Sequence, residues 1–393
     1  MLNSFHPLPD DIADHWHRPL FQDELTGIAR LAARVEADAM RIQRIPAPTF
    51  AEGQRADFVA QRFAALGLAD VTRDEMDNVC GRIVGRERGP ALMISAHLDT
   101  VFGRKVALTL HQESHRLVGP GIGDNSMGVA GLLGLADFLR HRPPRRDLWL
   151  VANVAEEGLG NLTGMRAMVS RLQPLLGGCI VLEGGTLGAI IHRAIGVERH
   201  RIMVQTDGGH SWSDFGQPSA IHILSKIVAQ ISDIHLPETP RTTFNVGMIE
   251  GGRSVNTIAP EASALLDLRS ENGVALAALS QQVAEILASA PNSQQLVSSE
   301  RIGDRPAGAI GKHHPLTQLG CQSLAFLGHD ALLTAASTDA NIPLSRGIPT
   351  ICIGVAEGHN AHRTDEWIDR QTIADGLQHG LLVVRTTEAL LLR

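Results

Sequence analysis

Tyrosine is absent from this chain, lysine occurs only at Lys105, Lys226 and Lys312, and aromatic residues make up 4% of it. Arginine therefore carries nearly all the positive charge, a bias of composition more than a functional signal. With 35 basic and 42 acidic residues the formal net charge is -7. Phosphate neutralisation demands a basic face, so this balance excludes a nucleic-acid binder. No window approaches the roughly 20 apolar residues needed to cross a bilayer, and no membrane partner is expected. The first twenty residues carry Asp10, Asp11, Asp14 and several histidines in place of a basic start and an apolar run, so no secretory signal is predicted. Cysteine is scarce as well. Cys80, Cys179, Cys321 and Cys352 are scattered without a Cys-x-x-Cys pair, mostly in apolar runs, the usual setting of inert buried thiols, and a reducing cytoplasm fits best.

What is present is the balance of a globular protein, 44% hydrophobic and 20% charged. At 393 residues the chain exceeds one ordinary core, and two domains are expected. Apolar residues at helical spacing predict a helix from Phe21 to about Arg44, stopped by Pro46-Ala47-Pro48, and a second from Ala51 to Leu66. Short continuous apolar runs follow at Val79–Val84, Ala91–Ala96, Leu148–Val154, Cys179–Leu182 and Thr350–Gly354. Such runs predict strands buried on both faces of an α/β sheet. Between them the pattern changes to strand (Arg201–Gln205), helix (Pro218–Ile231), strand (Thr243–Met248), strand (Ala262–Leu268), helix (Gly273–Leu287) and strand (Gln295–Glu300). That β-α-β-β-α-β order is ferredoxin-like. The predicted organisation is a catalytic domain made of residues 1–196 and 307–393, with a lid domain, residues 197–306, inserted into it.

Chemistry-bearing residues gather where the buried runs end, the customary place for a site in an open α/β sheet. His97 and Asp99, in Ala96-His97-Leu98-Asp99-Thr100, point to the same side of an extended segment, so one can ligate a metal while the other orients a neighbour. Gly119-Pro120-Gly121-Ile122-Gly123-Asp124-Asn125-Ser126 precedes an apolar helix. Its glycines serve a tight turn that places Asp124, a phosphate-cradling loop, or a simple helix cap at Asp124. Glu156 and Glu157 stand side by side after a buried strand, either in a solvated loop or as a ligand beside a base, because burying such charge without a partner is costly. Glu183 also follows an apolar strand, and the loop from His359 to Glu366 offers two histidines. Imidazole and carboxylate ligands without sulfur suit a pair of divalent ions, zinc first, with cobalt or manganese as alternatives.

In combination these motifs resemble the co-catalytic zinc family that includes carboxypeptidase G, peptidase T, aminoacylase, acetylornithine deacetylase and succinyl-diaminopimelate desuccinylase. The likeness runs through Ala96–Thr100, Gly121–Asp124, Glu156-Glu157-Gly158 and Ala361-His362-Arg363-Thr364-Asp365-Glu366. It continues in Gly209-His210-Ser211 and the stretch Glu250–Pro260. The resemblance implies a zinc-peptidase-like mixed sheet flanked by helices, with an inserted ferredoxin-like α+β lid that serves dimerisation. It further implies that His97 and Glu183 hold one metal, Glu157 and His362 the other, and Asp124 bridges them. Asp99 would orient His97, Glu156 would be the general base, and His210, Asn256 and Arg269 would contact substrate, His210 from the partner subunit in dimeric members. The expected activity is hydrolysis of an amide bond in a small peptide, by a di- or tripeptidase or a carboxypeptidase-like enzyme, or alternatively deacylation of an N-acyl amino acid. A non-catalytic binding protein on the same fold is the remaining alternative, and the intact set of ligands and base speaks against it. The chain departs from many deacylases in carrying Asn125-Ser126-Met127 after Asp124. It departs from aminopeptidase-type members in having Glu183 where they have Asp, although Ser337-Thr338-Asp339 is similar to the peptidase-T-like group.

Overall fold

The computed structural model describes residues 6, 8–9, 12–290 and 296–392. The chain divides into two compact units, one formed by the residues up to Ala194 together with Ala309 onward, the other by Ile195–Gly308.

The first unit is built on a nine-stranded mixed sheet. At its centre four parallel strands lie side by side in the order Leu148–Asn153, Ala91–His97, Leu176–Glu183 and Thr350–Gly354. Antiparallel partners flank them, Val79–Ile83 beside Leu148–Asn153 and Ala189–Ala194 beside Thr350–Gly354. The continuous apolarity of these strands has the expected cause, because both faces are covered. Leu92, Ile94 and Ala96 join a core built with helices Pro19–Ala29, Ala32–Gln43, Gly53–Ala65, Gly128–Leu139 and Ile373–Thr386. Met93, Val151, Cys179 and Val181 pack on the opposite side with Met165, Met168 and Val169 of helix Thr163–Leu172. Register aligns the strand ends, with His97 opposite Asn153 and Gly354 opposite Glu183, so the residues that follow all emerge at one edge.

One expected element is differently built. The single helix from Phe21 to Arg44 is two helices, Pro19–Ala29 and Ala32–Gln43. Apolar spacing continues across the break, but the halves serve different partners. The first packs against helix Ile373–Thr386, and the second chiefly against Gly128–Leu139.

The second unit is an antiparallel sheet with strand order Thr242–Gly251, Glu261–Ser270, Gly196–Gln205, Val297–Arg305. With helices Ala220–Ser232 and Gly273–Ser289 this is the ferredoxin-like arrangement. The expected start of its last strand, Gln295, lies outside the described residues. Strand Glu261–Ser270 alternates, Ala262, Ala264, Leu266 and Leu268 packing beneath Leu224, Ile227, Leu276 and Leu279 of the helices. Thr242–Gly251 is an edge strand whose Met248 and Ile249 are exposed.

Candidate metal centre

Six side chains of the first unit with atoms able to ligate a metal converge at the carboxyl edge of the parallel strands. His97 is the last residue of its strand and buried. Its Nε2 lies 3.0 Å from Asp124 Oδ1 and 3.6 Å from Glu183 Oε2, Glu183 ending the neighbouring strand. The other ring nitrogen faces back into the protein, 3.1 Å from the Asp99 main-chain oxygen and 3.5 Å from its carboxylate. A hydrogen bond from Nδ1 to that carbonyl leaves Nε2 as the ligating atom.

The Asp99 carboxylate is occupied mainly elsewhere. Its Oδ1 accepts the Glu156 amide at 2.9 Å, and its Oδ2 accepts the Glu157 amide at 2.8 Å and the Thr49 hydroxyl at 2.9 Å. These bonds and His97 outweigh the upward push of burial and hold Asp99 below its ordinary pKa. Just before the two glutamates the backbone turns through Ala155 at φ 57°, where an L-residue is strained. The Ala155 amide is held at 3.0 Å by Glu52 Oε1, which also accepts the Phe50 amide. Glu156 and Glu157 are consequently buried and do not sit in a solvated loop.

Asp124 does not cap the helix that begins at Gly128; it sits in the irregular turn Ile122–Met127 with φ -103° and ψ 94°. Its second oxygen, Oδ2, lies 3.0 Å from His362 Nε2, which is 3.3 Å from Glu157 Oε1. His362 stands in a loop at φ 67°. Its competitor His359 instead pairs with the strand Trp367–Asp369 and packs its ring 5.1 Å from Trp367.

The donors form two overlapping groups, His97, Asp124 and Glu183, and Asp124, Glu157 and His362; Glu156 joins His97 and Glu157 in a third. Nitrogen and oxygen donors without sulfur fit zinc, cobalt or manganese. Glu157 Oε1 is buried and faces the His362 nitrogen, a position from which it could reach a shared ion. Electrostatics agree. Burial pushes Glu183 up to about 7 and raises Glu157. Hydrogen bonds to Asp124 and Glu157 drive His362 up to about 10. Burial acts downward on His97, but the charge of Glu183 and the bond to Asp124 leave it well above its ordinary value. Carboxylates gathered this closely call for positive charge nearby, which bound dications would supply.

Two carboxylates of this region were given no role by the sequence reading, although Glu366 ends a motif quoted there. Glu52 and Glu366 touch backbone amides, which carry no side-chain signature. The Glu366 carboxylate accepts the amides of Gly121 (2.6 Å), Gly123 (3.1 Å) and Asp124 (2.7 Å). The amides of the glycine-rich turn are thus occupied by the chain itself, which leaves none of these three for a phosphate.

The second unit carries the other expected residues. His210 and Asn256 meet there, since Gly209-His210 pairs with Thr257-Ile258 and the Ser211 amide donates to the Asn256 oxygen. His210 Nδ1 accepts the amides of Trp212 at 3.2 Å and Ser213 at 3.4 Å, which puts the proton of the neutral ring on the exposed Nε2. Arg269 lies on strand Glu261–Ser270, its Nε 2.6 Å from Asp267.

Known families match segments of both units. Residues 196–294 match the model of a peptidase dimerisation domain, and residues 78–182 that of peptidase family M28. An acetylornithine deacetylase from Edwardsiella ictaluri is 27% identical over 309 residues, covering 73% of this chain and 78% of its own. Among solved structures, a tripeptidase from Staphylococcus aureus superposes with TM-score 0.77 at 19% identity, covering 91% of this chain and 98% of its own. A dinuclear metal-binding peptidase from Bacillus subtilis does so with TM-score 0.68 at 15% identity, covering 92% and 99%.

Proposed function

We propose that this chain is a member of the co-catalytic metallopeptidase family and a two-zinc hydrolase cleaving the amide bond of small peptides. The observation that carries the reading is Asp124, whose two carboxylate oxygens each face a different histidine at 3.0 Å, as a residue shared between two ions must. His97 and Glu183 would hold one ion, and Glu157 and His362 the other. When bound, such ions supply Lewis acidity to the scissile carbonyl and to an attacking water. Glu156 accepts the proton of that water and returns it to the departing nitrogen, a transfer typically worth about 10²–10⁴-fold in rate. Asp99 keeps Glu156 and Glu157 in place through their amides. To His210, whose Nε2–H is free to donate, we assign the developing oxyanion, with Asn256 and Arg269 as further substrate contacts.

A second reading, N-acyl-amino-acid deacylation, is favoured by the acetylornithine deacetylases among the sequence relatives. Both readings share the bond broken and the machinery. The match to a peptidase dimerisation domain supports a homodimer through the second unit. Four free cysteines support a cytoplasmic setting, and no helix among the described residues is long and apolar enough to cross a membrane.

The test incubates the zinc-loaded protein with a pool of short peptides and N-acyl amino acids, Glu156→Ala serving as control, with mass spectrometry as readout. Loss of short peptides in the wild type alone supports the proposal, and loss of N-acyl amino acids alone shifts it to the second reading. Equal loss with Glu156→Ala contradicts the assignment of the base.

A further inference from the structure

Asp124 faces both His97 and His362 from a backbone of unusual shape. Gly121 precedes the turn in the left-handed region at φ 72°, and Asp124 and Asn125 within it are non-helical. In such a turn, amides that would enter a helix or a ladder need another acceptor. Successive amides of this kind form a concavity that binds anions.

Here the acceptor is a carboxyl group supplied from 242 residues further along the chain. Glu366 is buried, with Oε2 on the Gly121 amide and Oε1 on those of Gly123 and Asp124. Gly123 leaves the carboxylate its place, since a Cβ there would lie 2.7 Å from Glu366 Oε1. The same residue is tied to the loop that bears His362. Its amide donates to the Arg363 oxygen, next to His362, and its carbonyl accepts the Gly119 amide. Glu366 thus joins the turn that presents Asp124 to the loop that presents His362.

We infer that Glu366 is a positioning residue of the metal centre, its buried carboxylate setting Asp124 and His362 at the spacing two ions require. The inference rests on the metal centre proposed above. Glu366 supplies no ligand and takes no part in proton transfer; its effect passes through the backbone of Asp124 and the His362 loop. A Gln in its place keeps the shape and one acceptor oxygen, but turns an amino group toward a backbone N–H.

Cobalt(II) titration of the metal-free protein, followed by the visible d–d absorption, tests this, with thermal unfolding of each metal-free variant recorded in parallel. Glu366→Gln, Glu366→Ala and Gly123→Ala are each expected to weaken cobalt binding about 10–100-fold and to alter the band. Glu388→Gln is the control, because Glu388 is also buried and accepts the amides of Arg145 and Arg146 but touches no ligand. It is expected to lower stability and leave cobalt binding unchanged. Folded Glu366 variants with wild-type affinity and band overturn the inference. So does an equal weakening by Glu388→Gln, which would reduce Glu366 to a general structural contact. If Glu366→Ala does not fold, Glu366→Gln and Gly123→Ala decide. A wild type that binds no cobalt overturns the metal centre itself, and the role of Glu366 with it.

Discussion

His97 and His362 each place Nε2 3.0 Å from one oxygen of Asp124, yet the chain reaches the two positions by opposite means. His97 ends a central strand, with a side chain 2% exposed and Nδ1 bonded to a main-chain oxygen two residues on. His362 stands on a loop in the left-handed region, with a side chain 56% exposed. Burial and a ladder on both sides hold the first imidazole, whereas the second relies on its loop and on the tie through Glu366. The difference teaches that one half of the centre is preformed by the sheet and the other is assembled by loops, so the two ions should differ in affinity. A third histidine completes the contrast. His379 is as buried as His97 but faces only the Gly320 oxygen, at 3.2 Å, and burial pushes it down to about 4 where carboxylates carry His97 upward.

The largest effect that would sharpen this contrast is expected of His97→Ala. It should remove the tighter ion and weaken zinc binding by more than the roughly 10–100-fold cost of losing a residue that only orients a ligand. Residual binding equal to that of wild type in equilibrium dialysis would break the contrast. His362→Ala should cost less. One tightly bound ion remains, and excess zinc restores part of the turnover; loss of both ions at once would show the ends to be equivalent. Smaller again is Thr49→Val, which removes a hydroxyl from the buried Asp99 carboxylate and should lower stability by about 1.5 kcal/mol in denaturant unfolding, with both ions retained. A larger loss accompanied by loss of metal would place Thr49 closer to the centre than its one bond suggests.

A separate effect concerns acid stability and leaves the metal centre untouched. With a folded pKa of about 4 against an ordinary 6.5, His379 stays neutral in the folded chain while the unfolded chain takes up a proton. Its contribution is fully present above pH 6.5 and is lost as pH falls through 4, for a total of about 3 kcal/mol. His379→Gln should flatten that limb of the stability profile and leave the profile above pH 6.5 and the turnover at neutral pH unchanged. An unaltered acid limb would show that His379 titrates normally.

The parts of the centre legible in the sequence were those attached to buried apolar runs. His97 and Glu183 terminate such runs, and Glu156 and Glu157 follow one by a few residues, so strand ends and acidic residues coincide on the page as they do in space. The ferredoxin-like order of the second unit was legible for a similar reason, because period-two alternation in Glu261–Ser270 and apolar helical faces survive in one dimension. Helix Pro19–Ala29 and its successor read as one, since a short break leaves the apolar spacing intact while the packing partner changes. The roles of Glu52 and Glu366 were illegible for a deeper reason. Their partners are backbone amides of Ala155, Gly121, Gly123 and Asp124, and every residue but proline has an amide.

The central claim is that one aspartate is shared by two ions. Metal analysis of the zinc-saturated wild type and of Asp124→Ala, after removal of loosely held metal, addresses it most directly. Two ions per wild-type chain and none per folded Asp124→Ala chain are the predicted result. Two ions retained without Asp124, or no ion bound to the wild type, would contradict it.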